Sequence, residues 1–292
     1  MYCSELGYIT AFLAGLFFGL SETLVRAASV KLKPFQNLII SLLVGTPILW
    51  VASLLTWNGI PSLKVVMSFV LAGILNFVVG RYLLYLSISY VGVTTASIVT
   101  SPTVVFASLF AWILLGETLT AIQVLGVFLV MIAVYLVHAE PSGIPLHGGK
   151  IYIGIIGGLG YAVVFSFASL LVRFGAGYIG GNPILGVTIS YTTALVLTFP
   201  FLVKDIHRKT PYMGKMLHYM VIASIIVTLG QLLRYIAFST CNVARVSVLI
   251  ALLPLHTLLF SQLLPGELRE KPGLRHIASA IIAIIGVVLA SS

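Results

Sequence analysis

The stretch Leu114-Leu115-Gly116-Glu117 returns 150 residues later as Leu264-Pro265-Gly266-Glu267. In both places it follows one long apolar run and precedes another, so it closes a helix and turns the chain into the next. Outward from it, the flanking sequences keep matching in the same order. Gly80 and Tyr85 correspond to Gly230 and Tyr235 and Ser97 to Ser247 at the same spacing, while Pro102 lies close to the counterpart of Pro254. Upstream, Ser21-Glu22-Thr23-Leu24-Val25-Arg26 aligns with Ala168-Ser169-Leu170-Leu171-Val172-Arg173, and Pro47 answers Pro200. Each pair alone is weak, but a set that keeps one order and nearly one spacing marks an internal repeat.

The repeated unit is built for lipid. Of 292 residues, 60% are hydrophobic and 8% charged, against about 25% charged in a soluble globule, and this excludes a water-soluble fold. A membrane-spanning helix needs about 20 apolar residues. Cutting the chain at its charges, prolines and Gly/Asn clusters gives ten such segments: Tyr8 to Ala28, Pro34 to Trp57, Val65 to Ser89, Val93 to Leu115, Ala121 to Val137, Ile151 to Val172, Pro183 to Val203, Leu217 to Phe238, Val243 to Leu264 and Leu274 to Ala290. Turn residues such as Asn58-Gly59-Ile60-Pro61 and Gly180-Gly181-Asn182-Pro183 separate them. The expected fold is an all-α integral membrane protein with one five-helix repeat over residues 1–140, a connection over 141–149 and a second repeat over 150–292. The first span is expected to stay in the mature protein, because no Lys or Arg precedes it and its apolar stretch is too long for a cleaved signal.

Five is odd, so the second unit enters the bilayer from the opposite side and the halves become inverted-topology repeats. Secondary transporters are built this way: the two halves exchange conformations and open a site at their interface to alternate sides. A duplicated bundle that merely packs well is the plainer alternative.

Ten helices in two halves, each with a proline in its fourth helix and a Leu-x-Gly-Glu closing it, resemble the drug/metabolite transporter superfamily, and within it the EamA-like branch. The resemblance covers essentially the whole chain. It implies a carrier for small organic solutes, often an exporter of amino acids or other metabolites, with a central cavity between the halves; it does not specify the solute.

With ten spans, both termini and the loops after spans 2, 4, 6 and 8 share one face, which holds Lys64, Arg173 and Arg245. The other face holds Arg26, Lys31, Lys33, Lys150, Lys204, Arg208, Lys209, Lys215, Arg269, Lys271 and Arg275. The net charge of +9 is therefore a topology signal, with no nucleic-acid partner implied, and the positive-inside rule puts both termini outside. The resembling family implies termini inside. The expected location is the cell (plasma) membrane, crossed many times. Cys3 and Cys241 fall on one face; a single bridge is open to them, and two unlinked thiols are the expected state.

Ionisable residues within a span are costly and mark functional sites. Arg81 and Arg234 occupy equivalent spans of the two repeats, and guanidinium offers a fork of donors to carboxylate or phosphate; snorkelling to an interface is the alternative. Glu22 is the one acid inside a predicted span and a candidate proton carrier, although Arg26, four residues on, stands in the order that favours an i,i+4 pair. Asn76, Gln123, Gln231 and His256 are polar at mid-span, where such groups either bind solute or join helices. Tyr82, Tyr85, Tyr161 and Tyr235 fit a cavity wall or an interfacial aromatic belt. Pro102 and Pro254 are expected to break spans 4 and 9 and so point to a midplane site. Gly15 with Gly19, and Gly154 with Gly158, form GxxxG packing faces, and Glu117 and Glu267 read as structural turn residues. No Walker A motif or metal-ligand spacing is present, and no cofactor or metal is expected. The expected function is secondary active transport of a small polar solute with an anionic group, with proton coupling as a candidate energy source. An uncoupled facilitator or exchanger of the same fold, a non-transporting subunit and an intramembrane enzyme are the alternatives.

Overall fold

In the computed structural model the described residues are 4–115, 120–138, 150–206, 214–241, 243–264, 269 and 272–291. Ten helical spans follow in order: α1 (Glu5–Ala28), α2 (Pro34–Leu55), α3 (Leu63–Val91), α4 in two pieces (Val93–Val99 and Thr103–Leu115), α5 (Ala121–His138), α6 (Ile151–Tyr178), α7 (Pro183–Ile206), α8 (Gly214–Thr240), α9 in two pieces (Val243–Ile250 and Leu253–Ser261) and α10 (Leu274–Ser291). Among the described residues six of them are long and apolar enough to cross a membrane by length and composition, and shorter apolar helices lie in α4, α5 and α10.

Local chemistry sets the ends. The Ser4 hydroxyl accepts the Gly7 N–H at 3.1 Å and caps α1, Pro34 fits the first turn of α2, where an N–H has no helical partner, and Gly92, at φ 86, makes the left-handed turn between α3 and α4. Two spans carry a widened π turn, Ile74–Gly80 in the middle of α3 and Phe174–Tyr178 at the end of α6. The breaks fall at Thr100 to Pro102 and at Ala251 to Leu252. At the first, Thr103 N–H turns to the Thr100 carbonyl; at the second, Pro254 has no N–H to give the Ile250 carbonyl.

Burial is inverted relative to a soluble protein. Glu22, Arg26, Arg81, Arg173 and Arg234 are buried, while Ile113, Phe128, Ile156 and Leu259 are exposed, as expected where hydrocarbon covers the outside. Contacts between the halves come in reciprocal pairs: α1 packs on α8 and α9 as α6 packs on α3 and α4, and α2 meets α8 as α7 meets α3, while α2 pairs with α7 and α5 with α10. This is the signature of two equivalent units around a pseudo-twofold axis. The GxxxG faces make the crossings close. A Cβ on Gly15 would lie 3.2 Å from Ile250 Cα, and one on Gly158 2.7 Å from Val99 Cγ1.

Arg26 and Arg173 are not loop charges. Arg26 Nη1 donates to the carbonyls of Ile88 (3.2 Å) and Ser89 (3.4 Å) at the end of α3, and Arg173 Nη1 donates to the Phe238 carbonyl (2.7 Å) near the end of α8. The two are repeat equivalents, each satisfying carbonyls at the negative end of the third helix in its own half. Without them the charge asymmetry is ten to two and still points the same way. Cys241, just after α8, is disulfide-bonded, which corrects the expectation of unlinked thiols; the other cysteine of the chain, Cys3, lies outside the described residues, as do Glu117 and Glu267.

Candidate functional site

Two adjoining cavities lie where the halves meet. The smaller has about 360 Å³ of unfilled space and is lined by Ser21, Glu22, Asn76, Arg81, Tyr85 and Gln231, among others. The larger has about 520 Å³, counting its open mouth, and is lined by both broken helices: Ser97, Thr100, Ser101 and Thr103 from α4, and Ser247, Ile250 and Pro254 from α9. Phe18, Glu22 and Tyr161 belong to both walls, so α1 and α6, equivalent helices of the two repeats, form the partition.

Arg81 is 4% exposed. It follows directly on the π turn that also carries Asn76, and this turn places both side chains on the cavity side of α3. Its Nη1 donates to Ser41 Oγ at 3.0 Å and its Nη2 to the Tyr191 hydroxyl at 2.7 Å, while the guanidinium lies 4.7 Å from the Phe77 ring centre and 4.8 Å from that of Tyr191. All these partners are neutral. The guanidinium is thus oriented without an ion pair to any carboxylate among the described residues, with Glu22 elsewhere on the same cavity wall, and a buried cation so held is costly in low dielectric unless an anion arrives.

Arg234 is fully buried, and none of its three guanidinium nitrogens has a hydrogen-bond partner among the described residues. It stacks over Phe165 at 4.3 Å and lies 5.6 Å from the Phe238 ring. Both rings line the larger cavity, so Arg234 stands one aromatic layer behind its wall. Glu22 is 5% exposed with Oε2 unpartnered among the described residues. The expected i,i+4 pairing with Arg26 does not satisfy that oxygen, because Arg26 reaches instead across to α3.

The remaining predicted residues divide. Asn76, Tyr85 and Gln231 line the smaller cavity, and Asn76 Nδ2, the Tyr85 hydroxyl and Gln231 Oε1 are buried without hydrogen-bond partners among the described residues, while Tyr161 lines both cavities. Tyr235 is buried, but its hydroxyl donates to Ser190 Oγ at 3.0 Å and it lines neither cavity. His256 packs against Gly19 and edge-on to Phe12, 5.9 Å between ring centres, also off the cavity walls. Tyr82 is 38% exposed on the outer surface, away from both, because α3 turns it to the side opposite Arg81's partners. The side chain of Gln123 lies outside the described residues. Sequence reasoning missed Ser41 and Tyr191, which hold Arg81, whereas Thr100, Ser101 and Thr103 beside Pro102, and the repeat pair Ser97 and Ser247, were visible in the sequence.

A bundle of ten helical spans in two reciprocal halves, with cavities at their interface that carry a few polar and charged side chains on largely apolar walls, defines a membrane carrier architecture. The chain belongs to the EamA-like transporter family, whose model matches it twice, over residues 5–139 and 152–292. No curated protein matches it. A solved structure described only as a crystal structure of a protein superposes with a TM-score of 0.68 over 97% of this chain and 96% of that one at 17% identity, a likeness of fold alone. The chain is therefore an integral, multi-pass membrane protein of a transporter family.

Proposed function

We propose that the chain is a secondary active transporter that carries small polar organic solutes bearing a carboxylate or phosphate, by alternating access around the Arg81 cavity. The observation that carries this reading is the guanidinium of Arg81, oriented by Ser41 and Tyr191 on the wall of a cavity between the halves and in no ion pair with a carboxylate among the described residues, although Glu22 lies on the same wall. Asn76, Tyr85 and Gln231 present further unpartnered polar atoms to the same space, enough to hold the remainder of a polar solute. The broken α4 and α9 supply the flexible points at which each half changes shape, and Glu22, on the partition between cavities, is the coupling acid that takes up and gives back a proton in each cycle. In the cell the termini lie outside; the ten-to-two distribution of basic residues supports this, as does the disulfide at Cys241, since such bonds persist in oxidising compartments.

The test is uptake by proteoliposomes of a panel of radiolabelled amino acids, nucleotide sugars and phosphorylated metabolites, with and without a pH gradient, comparing the native chain with Arg81→Gln. Uptake of at least one anionic-group solute that Arg81→Gln abolishes is expected. Uptake unaffected by Arg81→Gln, or no uptake of any member, contradicts the proposal.

A further inference from the structure

The larger cavity differs from the smaller in what it can bind. Three of its hydroxyls donate their protons to main-chain carbonyls of their own helix: Thr100 to Ser97 at 3.0 Å, Ser101 to Ile98 at 2.6 Å and Thr103 to Thr100 at 2.6 Å, while Ser97 is shared between the Thr94 carbonyl and the Thr257 hydroxyl. A hydroxyl has one proton, so each of the oxygens of Thr100, Ser101 and Thr103 has only lone pairs left to turn toward the cavity. Ile250, whose carbonyl loses its usual donor to Pro254, and Ser247 line the same space. The carboxyl of Glu22, 5% exposed and with Oε2 unpartnered among the described residues, completes the wall. Once Glu22 has released its proton the surface is one of oxygen acceptors with one negative charge, set between Arg81 on the adjoining cavity and Arg234 one aromatic layer behind the wall.

We infer that the larger cavity is a binding site for a monovalent cation that exchanges with the proton on Glu22, held by the Glu22 carboxylate and by the oxygens of Thr100, Ser101, Thr103 and Ser247 at and beside the breaks of α4 and α9. Oxygen ligands suit hard cations, and one carboxylate balances one positive charge, while among the described residues no group of three or more His, Cys, Asp or Glu side chains could hold a metal ion. Unwound carbonyls and helix breaks at a repeat interface are where coupling cations bind. The same chemistry fits a sodium ion and the ammonium head of an organic solute. The site stands whatever solute the Arg81 cavity takes.

The experiment measures thermal stabilisation of the purified full-length chain in detergent micelles by NaCl, KCl or methylammonium chloride, against N-methyl-D-glucamine chloride at equal ionic strength, with ²²Na⁺ binding alongside. Saturable stabilisation is expected from at least one small cation, with Glu22→Gln abolishing it and Thr100→Val raising the half-saturating concentration by about 10-fold, the effect of roughly one hydrogen bond or ligand. Stabilisation by sodium with bound ²²Na⁺ identifies an ion site; stabilisation by methylammonium alone identifies the ammonium head of a solute; both uphold the inference. Arg81→Gln retains the cation response even where it loses solute transport, so the two readings fail separately. Should Glu22→Gln not fold, Thr100→Val carries the test. No stabilisation by any small cation, or a response unchanged in the variants, overturns the inference.

Discussion

Gly73 sits in α3 where it crosses α7 of the other half, and a Cβ added there would lie 2.5 Å from the Ser190 carbonyl oxygen and 2.8 Å from Ser190 Cα. Ordinary contact begins at 3.4 Å, so Gly73→Ala requires the helices to part by about 0.9 Å, and the obstacle is backbone, which does not rotate away. Overpacking of this kind costs about 1–3 kcal/mol. The parting also stretches the 2.7 Å bond from Ser190 Oγ to the Phe69 carbonyl, about 1 kcal/mol more. Alanine returns about 0.5–1 kcal/mol through its better helix propensity, leaving a net loss of about 1–3 kcal/mol. The assay is the melting temperature of the detergent-solubilised chain, with Gly214→Ala as the control, since a Cβ at Gly214 meets nothing within 4 Å. Gly73→Ala is expected to melt several degrees below that control. A melting temperature equal to or above it would refute the close crossing of α3 and α7, and with it the tight interface between the halves.

Arg26→Gln and Arg173→Gln are expected to destabilise by similar amounts, about 1.5–3 kcal/mol each for a charge-assisted bond, read as paired drops in melting temperature; a loss in only one breaks the equivalence of the halves. Ser97→Ala and Thr257→Val, across the 2.7 Å hydroxyl pair that joins α4 to α9, should couple in a double-mutant cycle by about 0.6 kcal/mol, the usual strength of such a bond in a membrane bundle; additive effects argue against the contact. Glu22→Gln should flatten the dependence of uptake on external pH while leaving counterflow in place, because an amide cannot cycle a proton; an unchanged pH profile removes Glu22 from coupling. In intact cells, Lys209→Cys should resist a membrane-impermeant thiol reagent until the membrane is permeabilised, and labelling before that reverses the orientation.

The spans were legible because hydrophobic length is a local property: Pro34 and Pro183 start helices where the sequence places them, and Pro102 and Pro254 break α4 and α9 as expected. The two-half plan was legible from the returning Leu-x-Gly-Glu. What the sequence hid were partnerships across the fold. Arg26 looked like the partner of Glu22 because i,i+4 is the contact a sequence displays, whereas its carbonyl acceptors are 62 and 63 residues away. The shared Val-Arg ending of the first and sixth spans was the available clue, since two arginines in equivalent places suggest one structural duty. Tyr82 and Tyr85 were inseparable by composition; the helical phase set by the π turn at Ile74–Gly80 puts one outside and the other on the cavity. Thr100, Ser101 and Thr103 are legible as hydroxyls beside the Pro102 break, but that their protons go to main-chain carbonyls emerges only from the structure.

The most direct measurement of carrier action at this cavity is counterflow. Proteoliposomes are preloaded with an unlabelled solute identified in the uptake panel, then diluted into trace labelled solute. An alternating-access carrier is expected to accumulate label transiently above its equilibrium level, and Arg81→Gln to abolish the overshoot. Label that rises only to equilibrium, however fast, would show a channel or leak in place of a carrier and contradict the account.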